Sequence, residues 1–303
     1  MKPLNNNFLE KNRIKISKKV KIIQKKRREI NEKVKNIFNC PFTISDWYGR
    51  TGNNIQQIAI GIMYAKLNRD RFISPDHELI KKIHFNFPNY LLISPKRKNR
   101  FYSFIGSEVI PDVQLEYKYI KKHIHETIQE YVMPNLKIKK LEPLDDDYLV
   151  IHLRGGDLFV PDQTHCDYIQ NPLSFYHELI PKFKKTLIVA EPGGKNPILE
   201  ILKTSFPVTI QSSSVAEDFA TLMRATNLAT SGVGTFAIAA AMCSSNLKNF
   251  YCSDQYLTEH LNPEMLRGDI NVHITSLPEY IKLGEWDLSE QMMENLLHYQ
   301  IKK

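Results

Sequence analysis

His152, Arg154, Gly155, Gly156 and Asp157 fall together at the end of the β-branched and aliphatic run Tyr148–Leu153. A run of that kind, ending abruptly in Arg-Gly-Gly-Asp, predicts a buried parallel strand that stops at a chemically equipped turn. Ligands of open α/β sheets bind beyond the carboxyl ends of the strands, and there a guanidinium fork with backbone N–H groups beside it suits a phosphate. The competing role is structural, with Arg154 simply paired to Asp157 across the turn. Two further turns follow apolar runs, Glu191-Pro192-Gly193-Gly194 and Ser231-Gly232-Val233-Gly234-Thr235-Phe236. In a parallel sheet all three turns converge on one edge. The last opens a helix, so the N–H groups of Gly234, Thr235 and Phe236 could hold a phosphate without a metal, packing being the alternative for these glycines. Neither a Walker A sequence nor G-x-G-x-x-G occurs in a strand-turn-helix setting, which lowers kinase and dehydrogenase readings.

The elements that must position these turns follow from periodicity. In the N-terminal part, Ile55, Ile58, Ala59, Ile62 and Ala65 recur at helical spacing. They predict a helix from Asn53, capped by Asn53 or Asn54, whose positive end leaves the glycine turn at Gly49 and Gly52 and suits an anion or sugar hydroxyls. A strand at 71–74 completes a β-α-β start. Strands at 90–94 and 101–105 flank a basic turn, and an amphipathic helix over 116–132 carries Ile120, Ile124, Ile128 and Tyr131 before Pro134 stops it. Beyond a boundary near Pro143, strands at 148–153, 186–190, 208–211, 228–231 and 250–252 alternate with helices over 173–183, 198–205, 215–225 and 236–243, and 271–275 adds one more strand. Such alternation predicts a parallel, doubly wound sheet. A final helix spans 288–299, with Leu288, Met292, Leu296 and Tyr299 on one face.

Composition narrows the function classes. The 303 residues are 42% hydrophobic and 10% aromatic, enough for a packed core, and carry a net charge of +8. That charge is local: residues 1–36 hold ten Lys and three Arg against three Glu, and the remainder carries 28 basic and 30 acidic side chains. A groove-binding surface for nucleic acid over the folded body is therefore not expected. Residues 8–38 read as a basic helix with a loose apolar stripe, able to lie on an anionic membrane surface or to stay solvated against the body or a partner. Four widely spaced cysteines, Cys40, Cys166, Cys243 and Cys252, argue for reduced thiols in a cytoplasmic protein, and the apolar runs are too short to span a bilayer.

Three stretches together resemble a known family. Tyr48-Gly49-Arg50-Thr51-Gly52-Asn53-Asn54-Ile55-Gln56-Gln57 is similar to the Gly-x-x-Gly-Asn-x-x-x-Gln segment of α-1,2-fucosyltransferase-like enzymes. His152-Leu153-Arg154-Gly155-Gly156-Asp157 resembles the His-x-Arg-Arg-Gly-Asp motif of the wider fucosyltransferase superfamily, and Glu217-Asp218-Phe219 through Gly234-Thr235-Phe236 to Ala239-Ala240 resembles its third region. The resemblance implies an α/β, GT-B-like fold: a basic helical extension (1–38), an N-terminal acceptor-side Rossmann-like domain (39–143), a C-terminal nucleotide-sugar-binding Rossmann-like domain (144–285) and a C-terminal helix (286–303). It also implies inverting, metal-independent transfer of fucose or a related sugar from a GDP-sugar to a glycan or glycolipid acceptor, with no cofactor. Arg154 then binds the donor's β-phosphate. Around it the resemblance implies a donor site of His152, Gly155, Gly156, Glu191, Ser212, Asp218, Ser231, Gly234, Thr235 and Phe236. Gly49, Gly52, Asn53 and Asp46 fall on the acceptor or interdomain side. Many members carry a second Arg where this chain has Gly155, so the donor sugar is left open.

A carboxylate must take the proton of the attacking hydroxyl. The α-1,6 enzymes place it a few residues after the motif, which implies Asp162 here, with Asp46 a further candidate and Asp157 holding the turn. Asp145-Asp146-Asp147 contains Asp-x-Asp but precedes its strand, and reads as a solvated loop. His165-Cys166-Asp167 crowds its ligands into one loop, so a substrate-loop or packing role is expected rather than a metal. The competing functional class is a non-catalytic protein binding nucleic acid or an anionic membrane through residues 1–36.

Overall fold

The computed structural model describes residues 42–44, 46–87, 115–161, 163–193 and 195–302. The basic segment 8–38, the strands expected at 90–94 and 101–105, Cys40 and Asp162 lie outside the described residues.

In the N-terminal part, β1 (Phe42–Thr43), α1 (Thr51–Leu67) and β2 (Arg71–Ile73) form the expected β-α-β unit, with β1 and β2 parallel, and β3 (His84–Asn86) adds antiparallel to β2. Helix α2 (Tyr117–Thr127) widens into a π turn at Ile128–Val132 and ends in a 3-10 turn at Met133–Asn135, where Pro134 removes the next donor. Residues 137–147 then carry no helix or strand.

The C-terminal part is a six-stranded sheet in the order β6-β5-β4-β7-β8-β9, every pair parallel. Its strands are β4 (Tyr148–Leu153), β5 (Lys185–Ala190), β6 (Val208–Gln211), β7 (Asn227–Ala229), β8 (Asn249–Ser253) and β9 (Asn271–Thr275). Helices α3 (Leu173–Leu179), α4 (Pro197–Ser205), α5 (Val215–Met223) and α6 (Phe236–Cys243) connect them, and α7 (Glu290–His298) closes the chain. The chain builds outward from β4 to β6, then returns to lay β7 against the other side of β4. The crevice between the carboxyl ends of β4 and β7 is therefore the switch point where ligands of Rossmann-like sheets bind.

Strand alternation sorts the core. Leu149, Ile151 and Leu153 point into an apolar cluster with α3, α4 and α7, whereas Val150 points to the opposite face, into a cluster with α5 and α6. That second cluster also contains Ile55, Ile58, Ile62 and Met63 of α1 and Ile120 and Ile124 of α2, so it runs unbroken across residue 143. Helix α1 is buried on nearly every side, packed between α2 and α6. Among the described residues no helix is long and apolar enough to cross a membrane.

Candidate functional site

Helix α1 begins at Thr51, two residues before the expected start, with Arg50 as its N-cap residue and no side-chain cap. Neither asparagine caps it. The Asn53 carbonyl instead accepts a 2.6 Å bond from the Thr235 hydroxyl, and the Asn54 amide donates to the Tyr48 carbonyl at 3.0 Å. Helix α6 starts after Thr235 and likewise has no side-chain cap; that hydroxyl is turned toward Asn53, to which it donates. Gly52 makes the meeting possible: a Cβ there would lie 2.5 Å from the Thr235 backbone. Two helix N-termini with no side-chain cap among the described residues thus open side by side on one cleft, a preformed anion environment.

That cleft has a volume of about 530 Å³ and lies over the ends of β4 and β5 and the start of α6. Its walls hold Gly49, Gly52, Asn53, His152, Arg154, Glu191, Asp218, Gly234, Thr235 and Phe236, so the three sequence stretches meet in it. Gly155 and Gly156 stand behind the wall. The Gly155 N–H donates to Glu191 Oε2 at 3.2 Å, and Gly156, with φ +55, sits where a Cβ would strike the Glu191 carboxylate. Ser212 is exposed and does not line the cleft, because the Ser213 N–H and Gln211 side chain turn inward to Asp218 in its place. Ser231 is buried beneath the site, its carbonyl taken by the Asn171 N–H. Asp46 is exposed and enters only through its backbone carbonyl, which accepts from Gln57 Nε2.

Arg154 leaves the end of β4 with its backbone carbonyl held by the Asn196 amide at 2.7 Å. Its guanidinium lies 4.4 Å from the Tyr168 ring, and Nη2 donates to Asp157 Oδ2 at 2.9 Å. The structural pairing with Asp157 is therefore real, yet it uses one edge only. Nε is buried without a hydrogen-bond partner among the described residues, and Nη1 lies on the Gly234 side, 3.6 Å from where a Cβ at that glycine would stand. A guanidinium stacked and pinned on one side, with donors left over toward two helix N-termini, is a fork presented to a ligand.

The His152 ring packs at 5.2 Å from Phe236. Burial, then the Arg154 and Arg50 guanidiniums, pull its pKa down to about 3, so the imidazole is neutral and adds no charge. Burial raises the Asp218 carboxyl, against the hydrogen bonds from Gln211 and Ser213.

Several cleft residues carried no local signal in the sequence. Arg50 reaches across from the N-terminal wall to Glu191 and, at 3.2 Å, to Asp157. His77 accepts the Leu79 N–H at Nδ1, which leaves Nε2–H to donate to Asn54 Oδ1 at 3.1 Å. Beside it Glu78 is exposed on the same wall. His260 is brought in by Gln56, whose amide donates to the Glu259 carbonyl and accepts from the Leu261 N–H. Gln57, through Tyr48 and Asp46, does the same for the loop ahead of α1. The glutamines of the first stretch thus act as struts rather than ligands.

The Asp145-Asp146-Asp147 loop lies at the other end of β4, where Asp146 pairs with Lys248 at 2.7 Å. The ligand atoms of His165, Cys166 and Asp167 lie within 4.8 Å of one another in a surface loop whose Cys166 carbonyl accepts the Trp286 N–H. Cys166, Cys243 and Cys252 are free thiols. Comparison of the chain with known protein families, curated proteins and solved structures found no match.

Proposed function

We propose that the chain is a glycosyltransferase that takes a sugar from a nucleoside-diphosphate donor, GDP-linked as the sequence resemblance implies, and transfers it with inversion to a glycan or glycolipid hydroxyl. The observation that carries this is the meeting of two uncapped helix N-termini with the cleft-lining guanidinium of Arg154, paired through Nη2 alone among the described residues, at the switch point of a parallel sheet. Such a constellation suits the diphosphate of a leaving group, whose charge grows as the glycosidic bond breaks. In this reading the arrangement is GT-B-like: the sheet side holds the donor, and the wall formed by residues 46–54 with His77 and Glu78 receives the acceptor.

The base must have a carboxylate oxygen to spare. Asp157 is held by two arginines, Glu191 by Arg50 and the Gly155 N–H, and Asp218 by Gln211 and Ser213. Glu78 is the cleft-lining carboxylate with no ion pair or hydrogen bond among the described residues, and it shares the base role as a candidate with Asp162.

The test is a melting-temperature titration with GDP, UDP and ADP in the presence of a chelator, followed by a screen of nucleotide sugars for slow hydrolysis. A ligand at 100 times its Kd adds about 2.7 kcal/mol to the native state, which a melting curve registers readily. GDP is expected to stabilise most. Absence of both a shift and hydrolysis with every nucleotide overturns the proposal.

A further inference from the structure

We infer that Arg50 is a second ligand for the donor's diphosphate, delivered from the wall opposite Arg154; this rests on the reading of the cleft as a nucleotide-sugar site. Its guanidinium bridges Glu191 and Asp157, and Asp157 Oδ1 lies 3.2 Å from Arg50 Nη2 and 3.3 Å from Arg154 Nη2. Two guanidiniums therefore share one carboxylate oxygen. They are otherwise unlike: the Arg154 side chain is 11% exposed and fixed by stacking, whereas that of Arg50 is 56% exposed at the mouth of the cleft. Glu191 holds Arg50 with one oxygen and the Gly155 N–H with the other, which sets the Arg50 charge over the position that follows Arg154 and has no side chain of its own.

The two carboxylates explain how like charges stand so close in the cleft. Each arginine is neutralised locally, and the exposed pairs that hold Arg50 are weak enough to be exchanged. A diphosphate entering between the helix N-termini offers denser negative charge and a better match to the guanidinium fork. Arg50 then turns from Glu191 to the phosphate while Arg154 keeps its place, and the cation that the chain lacks at Gly155 is supplied across the cleft.

The test is calorimetric titration of GDP and GMP, without metal, into the wild type, Arg50→Ala and Arg50→Lys, with ligand-free melting temperatures and donor-hydrolysis kinetics on the same preparations. In Arg50→Ala the Kd for GDP is expected to rise about tenfold, as for loss of one charge-assisted contact, while that for GMP stays within about twofold. Donor KM should rise with it, and Arg50→Lys should recover part of the loss. Equal weakening of GDP and GMP, or a lowered melting temperature that accounts for the change, would make Arg50 a prop for its loop and overturn the inference. So would unchanged GDP binding in Arg50→Ala, which leaves the glycosyltransferase reading standing. Wild-type protein that binds no nucleotide removes both, and is told apart because it fails before any variant is made.

Discussion

The Thr235 hydroxyl donates to the Asn53 side-chain carbonyl over 2.6 Å, joining the first turns of two helices that are 182 residues apart in the chain. Gly52 permits that approach, and a Cβ there would stand 2.5 Å from the Thr235 backbone. Backbone cannot swing aside as a side-chain tip can. Gly52→Ala is expected to cost about 1–3 kcal/mol, the range for forcing a methyl into a packed contact. Because it also parts the two N-termini, nucleotide binding should weaken beyond what the stability loss explains. Urea midpoints and GDP titrations on the same variant check this, and a stable Gly52→Ala protein with normal GDP affinity contradicts it.

Arg154→Ala is expected to lower donor kcat/KM by about 10²-fold or more, since a preorganised group that meets growing charge acts in the transition state as well as in binding. Arg154→Lys should recover little, because a point charge cannot replace a stacked fork. If pairing with Asp157 were the whole role, Arg154→Ala would melt earlier while its folded fraction kept full specific activity.

Acid should loosen the fold well before general acid denaturation. Burial lowers His152 to about 3 and His125 and His260 to about 4, from 6.5. Below pH 6.5 the unfolded chain takes up protons that the native protein does not. Stability is thus full above 6.5 and declines toward pH 4, at up to about 1.4 kcal/mol per pH unit for each histidine, with His152 continuing to pH 3. Urea midpoints at stepped pH should show this slope, reduced in His152→Asn. A midpoint flat from pH 7 to 4.5 sinks the assignment.

Glu78→Gln and Asp162→Asn decide the base. Whichever residue takes the acceptor proton should lose about 10²-fold or more in kcat, with donor KM little changed and the acidic limb of the pH profile gone. Retention of both activity and profile in the two variants places the base elsewhere in the cleft.

Much of the frame was legible from residue order. The run Tyr148–Leu153 is β4, 236–243 is α6 and 271–275 is β9 as the apolar pattern indicates, because strand and helix periods are local properties. The three turns meet at one sheet edge for the same reason: parallel strands all end on the same side. What local reading misplaced was decided by distant partners. Asn53 and Asn54 follow a capping rule, but Thr235 and Tyr48 offer them bonds that outweigh it. Arg50, His260 and Glu78 sit in irregular segments with no periodicity, and Arg50 finds Glu191 at a separation of 141 residues. Ser231 looked like a site residue by its place in a motif, yet it is buried beneath the site.

Among the described residues, one apolar cluster joins α1 and α2 to α5 and α6. Rotating the N-terminal part away from the sheet would wet Ile55, Ile58, Ile62 and Met63 at once, at roughly 25 cal/mol for every Å² uncovered. Hinge opening of two rigid halves would therefore carry a large burial cost. Ligand traffic is then expected to use small excursions of the rim around Gly49, Arg50 and Glu191. The same cohesion means that heat should melt both parts in a single calorimetric transition, and that a protease nick within 137–147 should yield fragments that stay together until the whole molecule unfolds.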